Sequence, residues 1–327
     1  MHPNVREAAH GMHCPICGSI AVAASFHVET VPSTRESFSI MRCSHCGVGW
    51  TAPPVPASEL QNWYPPTYYG KQSVRFNAVI EMLVRFSARR RAQLVARYSS
   101  PGPVLDVGCG RGCTLSVLGA LGYEPLGVEL NETAAWHAKH RFGIEVHVGD
   151  FLTAPYTAGQ FAAIIFWHSL EHLDRPAEAI RHAYELLRPG GLLVVAVPNS
   201  ESLQARWGGR HWFHLDIPRH YFHFGVHSLH ALLTSSGFRI IKTSHLSLEQ
   251  SPYGWLQTMY NAMGPQSNLL YSLLKNPTAR SIPIGRHAFQ LLMTLVTLPI
   301  LLPLSFMLAC VEAALQRGGT IDVYAVK

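Results

Sequence analysis

The stretch Val104-Leu105-Asp106-Val107-Gly108-Cys109-Gly110-Arg111-Gly112 constrains the fold more than any other part of this chain. Val104 and Leu105 read as a buried parallel strand. The glycines after it tolerate positive φ, so the backbone can pass close to a ligand before a helix opens near Cys113. They fall as G-x-G-x-G behind an acid, not as the G-x-G-x-x-G of a turn that presents a helix N-terminus to pyrophosphate. A carboxylate at Asp106 repels phosphate and suits the ammonium of a methionine-like group. The turn therefore predicts S-adenosylmethionine rather than NAD.

Further strand ends carry acids. Gly127-Val128-Glu129-Leu130 is a short strand ending in a carboxylate, where a sheet of this kind meets a ribose, and Val146 to Phe151 ends in Asp150. Phe161 to Trp167 is an apolar run of buried-strand length followed by His168-Ser169-Leu170-Glu171-His172. A helix from about Pro176 to Leu187 stops at Arg188-Pro189-Gly190-Gly191, and Leu192 to Val197 makes a fifth strand. A solvated loop carboxylate is the plain reading of any one acid, but Asp106, Glu129 and Asp150 at successive strand ends favour a shared site.

With "VLDVGCGRG", "GVEL", "VGDF", "HSLEHLDRP" and "LLRPGGLLVVAVPN" in this order and spacing, the chain resembles the class I S-adenosylmethionine-dependent methyltransferases over roughly 74–250 plus its last ten residues. The resemblance implies an α/β fold, a doubly wound Rossmann-like seven-stranded sheet with an antiparallel last strand. It places Asp106, Gly108 and Gly110 along the methionine portion of the cofactor, Glu129 with Leu130 at the ribose, Asp150 and Phe151 beside the adenine, and His168 at cofactor or acceptor. The core then occupies 74–250 and regains its last strand at 319–327.

Near the start, Cys14-Pro15-Ile16-Cys17 and Cys43-Ser44-His45-Cys46 are two C-x-x-C knuckles, each followed directly by glycine. Four thiolates so arranged predict a tetrahedral structural zinc ribbon over 1–52, closed to substrate because no coordination position is left open. Disulfides and a redox C-x-x-C are the competing readings; no secretory signal precedes the knuckles, which disfavours disulfides and predicts a cytoplasmic protein. A linker at 53–73, stiffened by proline, carries Trp63, Tyr64, Tyr68 and Tyr69, which either close over a substrate or pack on the core.

Of the 327 residues, 14% are charged and 48% apolar, so a net charge of +6 does not describe a generic nucleic-acid surface. The apolar excess concentrates in an insertion at 251–318, where Ala288 to Val311 contains no charge. A single membrane span would strand the last β-strand, from Gly319, across the bilayer from the sixth at 237–243. The insertion is therefore expected as a helical pair dipping into one leaflet, its second helix broken or kinked at Pro299 and Pro303. A helix packed on the sheet or at a homodimer interface is the alternative. Val74 to Tyr98 reads as a helix whose Arg85, Arg89, Arg90, Arg91 and Arg97 meet anionic headgroups or water, while Ile80, Leu83, Val84, Leu94 and Val95 face inward.

Methyl transfer needs an acceptor held in line and, for a hydroxyl or acidic C–H, a base. Two histidine-rich places offer one. The Trp207 to Phe224 segment gives His220 as base with Asp216 orienting it, and His168 competes. If residues 168–172 begin a helix, His168, Glu171 and His172 share one face and could hold a divalent metal, but histidine stands where the resembling quinone O-methyltransferases place a carboxylate. The leading expectation is O- or C-methylation of a small or lipid-linked acceptor at a membrane's cytoplasmic face. An RNA methyltransferase lacks support from an N-P-P-[YF] tetrapeptide after the fourth strand, and a non-catalytic scaffold has no need of the intact acids.

Overall fold

The computed structural model describes residues 13–20, 22–28, 38–55, 76, 78–264, 267–275 and 287–327. The linker aromatics Trp63, Tyr64, Tyr68 and Tyr69 lie outside the described residues, as do parts of the insertion.

The main sheet contains β4 (Pro103–Val107), β5 (Glu124–Glu129), β6 (Glu145–Val148), β7 (Phe161–Trp167), β8 (Leu187–Pro198), β10 (Arg239–Ser244) and β11 (Thr320–Val326). Their order is β10-β11-β8-β7-β4-β5-β6, and β11 runs antiparallel to both neighbours while the other pairs are parallel. This is the seven-stranded sheet the motifs predict. Both of its faces are covered, which is why β7 (Phe-Ala-Ala-Ile-Ile-Phe-Trp) is apolar without alternation and buried at every position but the last.

Between the strands run α1 (Ala78–Tyr98), α2 (Cys113–Ala120), α3 (Glu132–Phe142), α4 (Pro176–Leu186), α5 (Leu203–Gly208) and α6 (Val226–Ser235). In α4, Pro176 opens the first turn and Ala179, Ile180, Ala183 and Leu186 form the buried stripe. β8 starts earlier than the expected Leu192: Leu187 pairs with Phe161, and pairing resumes at Ala163 with Leu192, so residues 188–191 loop out between the two. In α1 the inward face is Ala88, Ala92 and Val95, whereas the expected inward Leu83 is 50% exposed.

The second sheet is β1 (Val22–Val28), β2 (Phe38–Cys43), β3 (Gly49–Ala52) and β9 (Phe222–His223), in that order. Its last strand comes from the histidine-rich segment, through Gly49 opposite His223 and Trp50 opposite Phe222. One buried cluster runs from Cys14, Cys43 and Trp50 through Phe222 and Phe224 to Leu170 and Val197. The cysteine knuckles thus share a core with the main sheet.

The insertion supplies α7 (Ser251–Met263), α8 (Leu269–Leu274) and α9 (Ala288–Ala314). Of the break or kink expected at Pro299 and Pro303, the break does not occur: α9 continues through both. Each proline removes one amide donor, which costs the helix a hydrogen bond without ending it. α7 lies against α9, with the Tyr260 hydroxyl donating to the Thr294 carbonyl at 2.9 Å.

Candidate functional site

The first site lies at the C-terminal end of β4. Gly108, at φ 78°, leaves no room for a side chain, since a Cβ there would sit 2.7 Å from Cβ of Ser169. Gly110, at φ 53°, faces open space. Its amide donates to Glu129 Oε2 at 2.8 Å, and the amide of Asn131 donates to Oε1 at 2.9 Å. Glu129 thus couples the end of β5 to the glycine turn. Burial raises its pKa, and the backbone donors oppose that shift.

Asp106 is 5% exposed, and its Oδ1 has no hydrogen-bond partner among the described residues. Burial pushes it up to about 7 against the pull of Arg91. A cavity of about 140 Å³ opens over it, walled by Arg91, Arg111, Cys113, Thr114 and Trp167. A buried carboxylate oxygen lacking a donor, beside two guanidinium groups, suits a zwitterion: ammonium to Asp106, carboxylate to arginine. The residues present therefore fit the amino-acid end of S-adenosylmethionine.

The other expected cofactor residues are placed less simply. Leu130 is 67% exposed at the end of β5. Asp150 is engaged twice, accepting from the Leu152 amide at 3.0 Å and pairing with Arg175 at 3.1 Å. The Phe151 ring turns into the core, edge-on to Phe166 at 5.6 Å. That leaves the backbone of Phe151 as its route to a nucleobase.

Sequence reasoning missed what α1 brings. Arg91, expected at headgroups or solvent, turns inward: it pairs with Glu249 and lies 4.8 Å from the Trp167 ring centroid, while the Trp167 indole donates to Glu249 at 3.2 Å. Arg111 pairs with Glu81 of α1 at 3.0 Å. Asp322 of β11, 3% exposed and raised to about 7 by burial, joins this end of the sheet. An arginine facing a pocket and one facing water look alike in a helical pattern, so periodicity held no signal for Arg91.

The second site joins the ends of β7 and β8 to the loop before β9. His168 takes the left-handed conformation (φ 52°), its amide donates to Ala196, and its Nδ1 lies 3.3 Å from Glu171 Oε1. Glu171 is 1% exposed; burial raises its pKa, but the His168 hydrogen bond and nearby imidazoles outweigh that and hold it at about 2. Residues 170–172 form one 3-10 turn, so the condition for His168, Glu171 and His172 to share an α-helical face is not met. The ligand-type atoms that converge, within 4.8 Å, belong to Glu171, His172 and His220, and His168 is not part of that group.

His220 is 7% exposed and pushed down to about 4 by burial and by His172, so it is neutral near pH 7. Its Nδ1 donates to the His214 carbonyl at 2.9 Å, leaving Nε2 as the basic atom, 3.8 Å from Asp216. Asp216, also left-handed at φ 38°, is chiefly committed to Arg219. The two ring nitrogens thus face different partners, Nδ1 the His214 carbonyl at hydrogen-bond distance and Nε2 the Asp216 carboxylate at 3.8 Å.

Thr51 of β3 reaches into this loop. Its hydroxyl donates to the His220 carbonyl at 2.7 Å and meets His223 Nε2 at 3.1 Å. Beyond it, Cys14, Cys17, Cys43 and Cys46 bring their sulfurs within 4.8 Å of one another as free thiols. The Cys14–Cys46 and Cys17–Cys43 sulfur separations are both 3.6 Å. Four thiolates about 2.3 Å from a central zinc would stand about 3.8 Å apart, so the cluster has the size of a tetrahedral site and is too open for disulfides.

Such a sheet, with a glycine turn after its first parallel strand, defines a Rossmann-like α/β domain. Residues 80–243 match the Methyltransf_23 family, described as a methyltransferase domain, and the chain belongs to that family. It is 24% identical over 155 residues to a probable S-adenosylmethionine-dependent methyltransferase of Mycolicibacterium smegmatis, covering 46% of this chain and 57% of that one. A protein of the same description from Mycobacterium tuberculosis is 28% identical over 157 residues, 46% of this chain and 54% of the relative. The ubiquinone biosynthesis O-methyltransferase of Caulobacter sp. is 32% identical over 126 residues, 33% and 49% of the two chains. This chain therefore spans about half the length of the curated relatives it matches.

Proposed function

We propose that this protein transfers a methyl group from S-adenosylmethionine to a small or lipid-linked acceptor, at oxygen or carbon. The observation that carries the reading is the Asp106 carboxylate oxygen, without a partner among the described residues, under a cavity shared with Arg91 and Arg111. Asp106, Gly108, Gly110 and Glu129 would hold the cofactor, which supplies an electrophilic methyl on a sulfonium. The chain's own work is to seat the acceptor, exclude water and accept a proton. We assign the proton to His220 Nε2, with its Nδ1 tied to His214, and keep His168, whose Nε2 is buried without a partner among the described residues, as the competing base. The base would take the proton which the acceptor loses on accepting the methyl that the cofactor would supply.

Zinc at Cys14, Cys17, Cys43 and Cys46 would be structural in this reading. The unpaired thiols of Cys109, Cys113 and Cys310 suit a reducing, cytoplasmic setting. Calorimetric titration of S-adenosylmethionine into wild type and Asp106→Ala tests the proposal. Binding that disappears in the variant supports it and opens an acceptor screen; a folded wild type that does not bind refutes it.

A further inference from the structure

Helix α9 is amphipathic in the opposite sense to a helix built for water. Facing the protein are Gln290, Thr294, Ser305, Ala309 and Glu312, none more than 8% exposed. Facing out are Phe289, Leu292, Leu295, Val296, Ile300 and Met307, between 56% and 77% exposed. Its most apolar 18-residue window has mean hydropathy 2.2 and is 11% buried. A surface helix of a soluble domain puts its apolar stripe on the core and its polar face in water. Inversion is what a hydrocarbon surrounding selects, since polar side chains then find partners in protein.

We propose that α9 is an in-plane membrane anchor that seats its outward face in one leaflet of an anionic bilayer. The helix lies flat because both ends are tied to the body. Near its start Gln290 abuts Gly264 at the end of α7, where an added Cβ would stand 2.4 Å from Gln290 Nε2. Near its end Glu312 Oε1 accepts from the Gly319 amide at 2.8 Å, one residue before β11 enters the sheet. A crossing of the bilayer would tear β11 from between β8 and β10.

Lipid fits this face better than a second copy of the chain. At about 100° per residue the outward positions from 289 to 311 sweep roughly half the helix circumference, wider than the two-position seam a partner helix covers. Charge chooses the lipid. Exposed Met82, Leu83 and Phe86 of α1 interleave with exposed Arg85 and Arg89. α1 is joined to the insertion where Phe76 meets the Tyr271 ring of α8 at 6.0 Å, and Leu270 and Leu274 of α8 share a cluster with Leu298 and Leu301 of α9. Arginines beside an apolar face draw it to anionic headgroups.

The test is flotation of the full-length protein with vesicles of phosphatidylcholine alone or with one-third phosphatidylglycerol. Wild type is expected to float with the anionic vesicles. Val296→Asp/Ile300→Asp should reduce binding about ten-fold or more, with the circular dichroism spectrum unchanged. Arg85→Glu/Arg89→Glu should remove the preference for anionic vesicles and leaves α9 intact, so it tests the proposal even if the double aspartate misfolds. A wild type that stays with the soluble fraction at low salt overturns the proposal. So does a stable, detergent-free dimer that the aspartates split and vesicles do not bind, which would assign the face to a second copy.

Discussion

Thr51→Val probes the link between the cysteine sheet and the histidine loop. Thr51 is 2% exposed and has one hydroxyl proton for two neighbours, the His220 carbonyl at 2.7 Å and His223 Nε2 at 3.1 Å. The carbonyl can only accept, so it takes the proton; the threonine oxygen then accepts from His223, which must carry its proton on Nε2. Burial holds His223 near pKa 3, so that imidazole stays neutral. Valine preserves shape and β-branching but neither donates nor accepts. Two buried polar groups lose a partner at about 1–3 kcal/mol each, while the bond from the Thr51 amide to Tyr221 survives, so we predict a loss of about 2–6 kcal/mol. Urea unfolding followed by tryptophan fluorescence measures it. Because the freed carbonyl belongs to the proposed base, kcat should fall about ten-fold with S-adenosylmethionine affinity unchanged, and Thr51→Ser should restore both. A variant within about 0.5 kcal/mol of wild type with unaltered kcat would show that the loop holds itself, and the reasoning would fail.

Four further outcomes are expected. If the cysteine cluster holds zinc as proposed, chelation should loosen β1 to β3 and, through β9, deprotect the amides of residues 220–223 in hydrogen exchange; unchanged protection there would break the proposed coupling. Asp106 sits at about 7 in the ligand-free protein, so it is neutral at lower pH and cannot meet an ammonium; S-adenosylmethionine affinity should drop roughly ten-fold from pH 8 to pH 6, and flat calorimetry over that range would contradict the assignment. His220→Gln should lower kcat by about 10²–10⁴ without weakening cofactor binding, and the wild-type kcat at saturating cofactor should be level from pH 6 to 8 because the group titrates near 4; a change of only a few-fold would move the role to His168. Glu312, raised by burial from 4.5 to about 7, binds its proton more tightly folded than unfolded, so its contribution is favourable at low pH and lost as pH rises through 7. Glu312→Gln should therefore stabilise the protein by about 1–2 kcal/mol at pH 8 and little at pH 5, and equal melting shifts at both would argue against that sign.

What could be foreseen from the chain follows the range of the forces involved. Asp106 and the glycine turn are legible because a strand end, a positive φ and a neighbouring acid are set within nine residues. The antiparallel pairing of β10 with β11 is legible through the matching motifs, and the cysteine cluster through its spacing. The pairing of Trp50 with Phe222 was not, because two short strands 172 positions apart carry no local mark of each other. The closeness of Asp216 to His220 is legible from their spacing, whereas the pairing of the same carboxylate with Arg219 is not, since several cations stand within reach in sequence. The inward turn of Arg91 depends on Glu249, which arrives from another element altogether.

The place of β11 has a consequence for how the chain is made. Thr320–Val326 is made after every other strand of its sheet yet fills the gap between β8 and β10, so β4 to β8 can pair during synthesis while β10 waits with an open edge. Closure is a long-range event delayed until α9 has been laid down. If α9 meets a bilayer first, the membrane becomes the surface on which the nascent sheet is completed, and mislocalised chains would be caught with an unsealed seam open to aggregation.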